Sequence, residues 1–267
     1  MIKILLINLD SASERLAFQQ QQFAKLGLTF ERLPAYRLNN QTDPLYLKYH
    51  ATWQRKLSLA EVSCFLSHKL AWQKVVTEQQ PMLILEDDAF LAANLNILLP
   101  QITKLKGLDY LNLEARGRNK KKLLAKQASY AFGGTELFRL FQGRSGAAGY
   151  IIWPEGASKL LNKINAEGIG LADKFINASY ELLAYQMEPA PIIQIDQCEM
   201  LGINPPIVVC SSITAKPAPP PLHSKLFWVY AYRRIKGQLH IALNQLNNIQ
   251  RAKRRCVAIS PELLKSN

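Results

Sequence analysis

Acid is scarce in this chain: 20 Asp+Glu stand against 33 Lys+Arg, for a formal charge of +13. Cysteine is scarcer still, and the four (Cys64, Cys198, Cys210 and Cys256) form no CxxC pair. That excludes the common zinc and redox spacings and reads as reduced thiols in a cytoplasmic protein. No apolar run approaches the roughly eighteen residues of a membrane span, and Leu226–Tyr232 (LFWVYAY) is far too short. The opening MIKILLINLDSASER has one lysine, a short apolar run and no small-residue cleavage site. It reads as a first strand rather than a signal peptide. No internal repeat or long low-complexity tract is present.

What remains is a chain of 267 residues, 48% hydrophobic, enough for one large α/β domain with its own core. The near-continuous apolar run Ile2–Leu9 predicts a strand covered on both faces. Ser11-x-x-Glu14 reads as a capping box for a helix ending at Gly27, and Leu28–Leu33 as a second strand. Residues 36–57 show no period. Ser58-x-x-Glu61 opens a second helix, and Met82–Leu85 returns as a strand. Further strands are predicted at Leu108–Leu113, Leu137–Phe141 and Tyr150–Trp153, with a helix from Pro154. Another helix is expected from Asp173 to about Tyr185, then an extended Pro191–Asp196. The Arg116–Lys126 stretch reads as a basic loop suited to a phosphorylated saccharide.

The sharpest local signal is MLILEDDAF, where Glu86, Asp87 and Asp88 follow a buried strand. Adjacent carboxylates repel and are costly to desolvate, so a cation belongs there. Hard divalent ions take such oxygens together with substrate phosphates, and strand C-terminal ends are where open α/β sheets bind ligands. Mg2+ or Mn2+ is therefore expected at Asp88 and Glu86, with Asp88 reaching the metal directly and Glu86 and Asp87 binding through water or to substrate hydroxyls. A solvated acidic turn is the bland alternative. A strand-end phosphatase motif is not matched, because the first strand ends Asn8-Leu9-Asp10.

Four blocks, INLDSASER, SLAEVSCFLSHKLAWQKVV, PMLILEDDAF and GAAGYIIWPEGASKLL, occur in an order that resembles family-25 glycosyltransferases, the lipopolysaccharide and lipooligosaccharide β-galactosyltransferases. The resemblance covers about residues 1–210. It implies a GT-A fold, Rossmann-type with a mixed sheet, a UDP-sugar donor (usually UDP-galactose), a divalent metal and inversion at the anomeric carbon. It also implies that Asn8, Asp10 and Arg15 lie near the nucleotide, as do Gly149 and Tyr150 from the last block. Ser67 and His68 would face the donor, and Glu86, Asp87 and Asp88 would form the DxD-like element. UDP-glucose or a UDP-N-acetylhexosamine is the alternative donor. Where the family often reads Pro-Val-Asp, this chain has Leu171-Ala172-Asp173. A general base is needed opposite the leaving group. Asp173 is the first choice by family position, with Glu181 and Glu114 behind it; a helix N-cap is the plain alternative for Asp173.

The C-terminal part lies outside the resemblance. From Lys216 onward ten Lys+Arg meet one Glu, so +9 of the +13 falls there. A catalytic domain over 1–215, a Pro-rich linker over 216–223 (KPAPPPLH) and a basic amphipathic helical tail over 224–267 are expected. The tail, with Phe227, Trp228, Tyr230 and Tyr232, suits an anchor on anionic lipid at the inner face of the cytoplasmic membrane, near a glycolipid acceptor. The competing reading is a non-catalytic basic protein for membranes or nucleic acid; no nucleic-acid motif appears.

Overall fold

The structure, a computed structural model, describes residues 2–116, 121–143, 146–205, 207, 217–218 and 220–265. Parts of the expected basic loop (117–120), of the Gly143–Gly149 stretch (144–145) and of the linker, and also Cys210, lie outside the described residues.

A ten-stranded mixed sheet forms the centre. Its middle is built from β1 (Lys3–Asn8), β2 (Glu31–Pro34), β3 (Met82–Glu86), β5 (Tyr110–Asn112), β9 (Gly149–Ile152) and β10 (Ala184–Glu188). β1 lies between β2 and β3, parallel to both, with Ile7 opposite Glu86. The chain leaves β1 to one side through α1 (Ser13–Leu26) and returns to the other through α3 (Leu59–Glu78). Reversal of direction at β1 opens a crevice at the C-terminal ends of β1 and β3, the usual ligand position of an open α/β sheet. β9 runs antiparallel to β3 and β5, and β5 parallel to β10. The start of β9 and the ends of β3 and β5 therefore meet at one edge.

Alternation along the strands fills both faces. Leu5, Ile7, Met82 and Ile84 enter the core beneath α3 and α5 (Pro154–Glu167), while Leu6, Leu83 and Leu85 enter the one under α1 and α4 (Leu95–Ile102). After the acidic turn, β4 (Ala89–Leu91) pairs with β11 (Ile192–Gln194) as a small second sheet.

Local signals fared unevenly. The Ser58–Glu61 capping box forms in full, and Gly27 ends α1 at φ 61°. The Ser11–Glu14 box does not: α1 starts at Ser13 behind Ala12, because Asn8 Nδ2 and the Leu9 carbonyl hold Ala12 in the preceding turn. Pro44–Tyr49 forms a short helix, α2, in the aperiodic stretch. The helix expected over 173–185 stops as α6 (Ala172–Asn177), and Tyr185 lies in β10. There it pairs with Leu111 and with Arg139 of β8 (Thr135–Gln142), so sheet pairing overrides a helix-like pattern. Lys122–Ala125 of the expected basic loop is a buried strand, β6. A short β7 (Tyr130–Phe132) pairs with β8.

The boundary at 216–223 does not isolate a tail. α7 (Lys225–Asn248) lies against β8, and β12 (Ala252–Arg255) pairs with β6 as the far strand of the sheet. Leu263, fully buried, packs with Phe18 and Phe90. The segment expected as one or two helices thus ends in a strand, because β6 presents an unpaired edge.

Gly156 sits so close to the β5 approach that a Cβ there would lie 2.2 Å from the Asp109 carbonyl oxygen. Gly156→Ala is expected to lower stability by about 1–3 kcal/mol, read as a reduced urea midpoint at unchanged slope.

Candidate functional site

The C-terminal edge of β1, β3 and β5 gathers four carboxylates, and each is handled differently. Asp87 is tied down: Arg15 Nη1 donates to Oδ1 and Asn8 Nδ2 to Oδ2, both at 2.8 Å. Asn8 accepts from Arg32 Nε in turn. Burial pushes the Asp87 pKa up, against the Arg15 charge and the Asn8 hydrogen bond. Asp10 points away, 86% exposed and paired with Arg32.

Glu86 is oriented from the opposite side. His68, fully buried on α3, bonds Glu86 Oε1 through Nε2 at 3.0 Å and Tyr150 Oη through Nδ1 at 2.9 Å. Trp72 Nε1 donates to the same Tyr150 oxygen at 2.9 Å. An indole can only donate. The arrangement that leaves no proton unpaired therefore sends Tyr150 O–H to His68 Nδ1 and His68 Nε2–H to Glu86. Three donors run in one direction and end on the carboxylate. Ser67, by contrast, is spent on backbone: it accepts from Tyr36 N and donates to the Ser63 carbonyl.

Asp88 and Glu114 are under-satisfied. Asp88 Oδ1 and Glu114 Oε1 are buried without a hydrogen-bond partner. Burial, then Glu86, Asp87 and Glu114, hold the Asp88 pKa well above the ordinary range. Glu114 follows β5; its Oε2 accepts from Ala148 N at 2.9 Å. Ala148 O accepts from Glu86 N at 3.0 Å, so one peptide segment bridges both acids. Gly146, at φ 97°, makes room, since a Cβ there would lie 2.4 Å from the Glu114 carboxylate. Gly149 similarly admits Ile192, at 2.5 Å from a virtual Cβ.

Some positions were not legible as site residues. Gln19 Nε2 donates to the Asp87 and Ala89 carbonyls, and Gln22 clasps Ala89 O and Leu91 N. They come from the run Gln19–Gln22 on α1, whose only sequence signal is four amides in a helix. Lys122, expected in a solvated loop, is 1% exposed and donates to the Glu114 carbonyl and to Gln186 Oε1. Burial lowers its pKa, opposed by the Glu114 charge.

Asp173 occupies the first turn of α6, whose N-cap is Leu171; burial raises the Cys64 thiol well above its ordinary pKa, and the Glu86, Asp173 and Asp88 charges add to it. Glu181 is not gathered with them; it is 42% exposed in the turn before β10, 3.9 Å from Lys163. Among the described residues one group of side chains converges closely enough to share an ion: Cys64, His68 and Glu86 place one ligand atom each within 4.8 Å of one another, a mixed set of the kind zinc accepts. The unpartnered oxygens of Asp88 and Glu114 lie near enough to Glu86 to feel its charge and are ligands of the kind Mg2+ or Mn2+ takes, but these three acids do not converge as closely.

Buried acids arrayed on an α/β sheet's switch point are the mark of a ligand-handling enzyme rather than a passive binding module. Comparison with known sequences makes the class definite. The profile of glycosyltransferase family 25, described as LPS biosynthesis protein, matches residues 1–176, and the chain belongs to that family. The lipooligosaccharide biosynthesis protein lic2B of Haemophilus influenzae is 27% identical over 202 residues, 70% of this chain and 74% of that protein. A glycosyltransferase 25 family member of Aedes aegypti is 28% identical over 65% of this chain, which spans only 30% of that longer protein. Among solved structures, the glycosyltransferase GlyE of Streptococcus pneumoniae TIGR4 aligns at TM-score 0.35 and 12% identity, over 70% of this chain and 45% of that one.

Burial, with Glu86 adding to it, raises the Glu114 pKa from 4.5 to about 8, against Lys122, the Ala148 N–H and Arg116. Between those two values the folded chain keeps a proton that the unfolded chain has released. Stability therefore falls as pH rises through that window. Glu114→Gln keeps an acceptor for Ala148 N but cannot ionise. Urea unfolding should show a flatter loss of stability from pH 5 to 8 in that variant than in the native chain.

Proposed function

We propose that this glycosyltransferase moves galactose, with inversion, from UDP-galactose to a saccharide of lipooligosaccharide or lipopolysaccharide at the inner face of the cytoplasmic membrane. The observation that carries the reading is the pair of buried, unpartnered carboxylate oxygens, Asp88 Oδ1 and Glu114 Oε1, at the C-terminal ends of β3 and β5. Oxygen ligands of that kind suit Mn2+ or Mg2+, which Asp88 and Glu86 would hold. When bound, the ion neutralises charge on the leaving diphosphate. The acceptor follows from the family description and from the lipooligosaccharide relative.

The chain's own groups then divide the work. Arg15, 24% exposed and already on Asp87, offers a cation to the nucleotide phosphates beside Asn8 at the end of β1. The donor chain from Trp72 through Tyr150 and His68 fixes the rotamer of Glu86. Asp173, 23% accessible on α6 and 3.6 Å from Lys174, takes the acceptor hydroxyl proton. Glu114 is a poor base at neutral pH, being fully buried and protonated up to about 8. Glu181, 42% exposed in the turn before β10, takes no part.

Release of UDP from a panel of UDP-sugars, with a lipooligosaccharide-derived acceptor and with or without Mn2+, tests this. Metal-dependent turnover of UDP-galactose is expected, abolished in Asp88→Asn. Asp173→Asn should lower kcat by about 10²- to 10⁴-fold while UDP binding stays unchanged. Equal turnover with EDTA, or preference for UDP-glucose or a UDP-N-acetylhexosamine, would refute the cation or the donor assignment respectively.

A further inference from the structure

Helix α7 is amphipathic the wrong way round for a helix that only covers a sheet. Its inward side is polar: Arg233 Nη1 donates to the carbonyls of Ala51 and Trp53, Asn244 to that of Phe141, and Gln245 to Gln142. Gly237 lies where a Cβ would be 2.7 Å from Gln54 Nε2. Tyr230 and Asn248 are the buried residues of this side.

The outward side is apolar. Trp228 (67% exposed), Tyr232 (65%), Ile235 (60%), Leu239 (59%), Leu243 (54%) and Leu246 (63%) follow one another at steps of three or four residues. At 3.6 residues per turn they fall within an arc of about 80° and run for about 27 Å. Scattered exposed apolar residues need no explanation, but a continuous stripe marks a contact surface.

Charge identifies the occupant. Between Glu199 and Glu262 the sequence contains no acid, whereas Lys225–Arg255 holds eight Lys+Arg. Lys225, Arg234, Lys236, Lys253 and Arg254 are exposed. A second copy laid on this stripe would bring two acid-free cationic helices together with nothing to neutralise them. A bilayer with anionic headgroups supplies both the apolar phase and the counter-charge, and Trp and Tyr suit its interface. No helix among the described residues is long and apolar enough to cross a membrane, so α7 would lie in the surface plane.

We infer that the outer face of α7 is the membrane-contact surface of this protein, inserting Trp228, Tyr232, Ile235 and Leu239 among the acyl chains of an anionic leaflet. The placement matters for the proposed reaction, on whose lipid-borne acceptor its purpose rests. Arg233 grips the segment Ala51–Trp53. Thr52 bonds Ile169, and Trp53 packs on Gly170. That strand of chain leads directly into α6 and Asp173. The inner side of α7 is thus linked, through Ala51–Trp53 and Ile169–Gly170, to the segment that enters α6.

Flotation of the full chain with vesicles tests this, using phosphatidylglycerol mixed with phosphatidylcholine against phosphatidylcholine alone. The native chain should float with the anionic vesicles and be released in part by high salt. The double variant Ile235→Glu, Leu239→Glu should float at least tenfold less. Both positions are well exposed, so an unchanged Tm is expected and checks that the fold is intact. The variant should also keep native turnover on a soluble oligosaccharide acceptor, which separates failure of the docking surface from failure of the transferase reading. Native protein that stays in the soluble fraction, a double variant that floats like the native, or dimers in light scattering that the variant abolishes would each overturn the inference.

Discussion

Mutual repulsion at the end of β3 is the constraint around which this molecule is organised. Glu86, Asp87 and Asp88 emerge together from a strand buried on both faces, and Glu114 arrives beside them from β5. Left alone, such a group would take up protons or open to water. Instead the surroundings divide the problem. α1 spends Arg15, Gln19 and Gln22 on the turn, and α3 spends His68 on Glu86. The glycine at 146 leaves room for Glu114. Two carboxylate oxygens remain without a partner, and cation binding there would relieve what the hydrogen bonds do not.

The two chemical aspects of the protein are mechanically continuous. The helix that turns an apolar stripe outward holds the Ala51–Trp53 segment by two hydrogen bonds. That segment packs on Ile169 and Gly170, just ahead of α6. β12, following α7, closes the sheet edge on β6, which carries Lys122 beneath Glu114. The basic C-terminal region is therefore part of the catalytic body rather than a tether to it.

Features that rest on short-range physics were legible in the sequence. The capping box at Ser58 and Glu61, the left-handed stop at Gly27 and the acidic end of β3 all announce themselves within a few residues. The failures share a cause: they were decided by partners distant in sequence. Tyr185 reads as helical until β5 and β8 claim it. Lys122 reads as solvated because its neighbours are basic, and only its contacts with Glu114 and Gln186, the latter 64 positions away, reveal it as buried. Ser67, expected to face the donor, has its hydroxyl taken by Tyr36 N and the Ser63 carbonyl. Gln19 and Gln22 gave no chemical signal at all. The apolar stripe of α7 was visible as composition, yet which way it faced required the fold.

The proposed chemistry depends on the unpartnered oxygens of Asp88 and Glu114 being held for a cation. Mn2+ titration of the metal-stripped chain with UDP present, followed by the loss of the free-ion electron paramagnetic resonance signal and by Tm, reads this directly. One ion taken up per chain with a rise in Tm, both absent in Asp88→Asn, is the predicted result. An unchanged free-ion signal and Tm in the native chain would contradict it and leave the buried acids as a structural cluster.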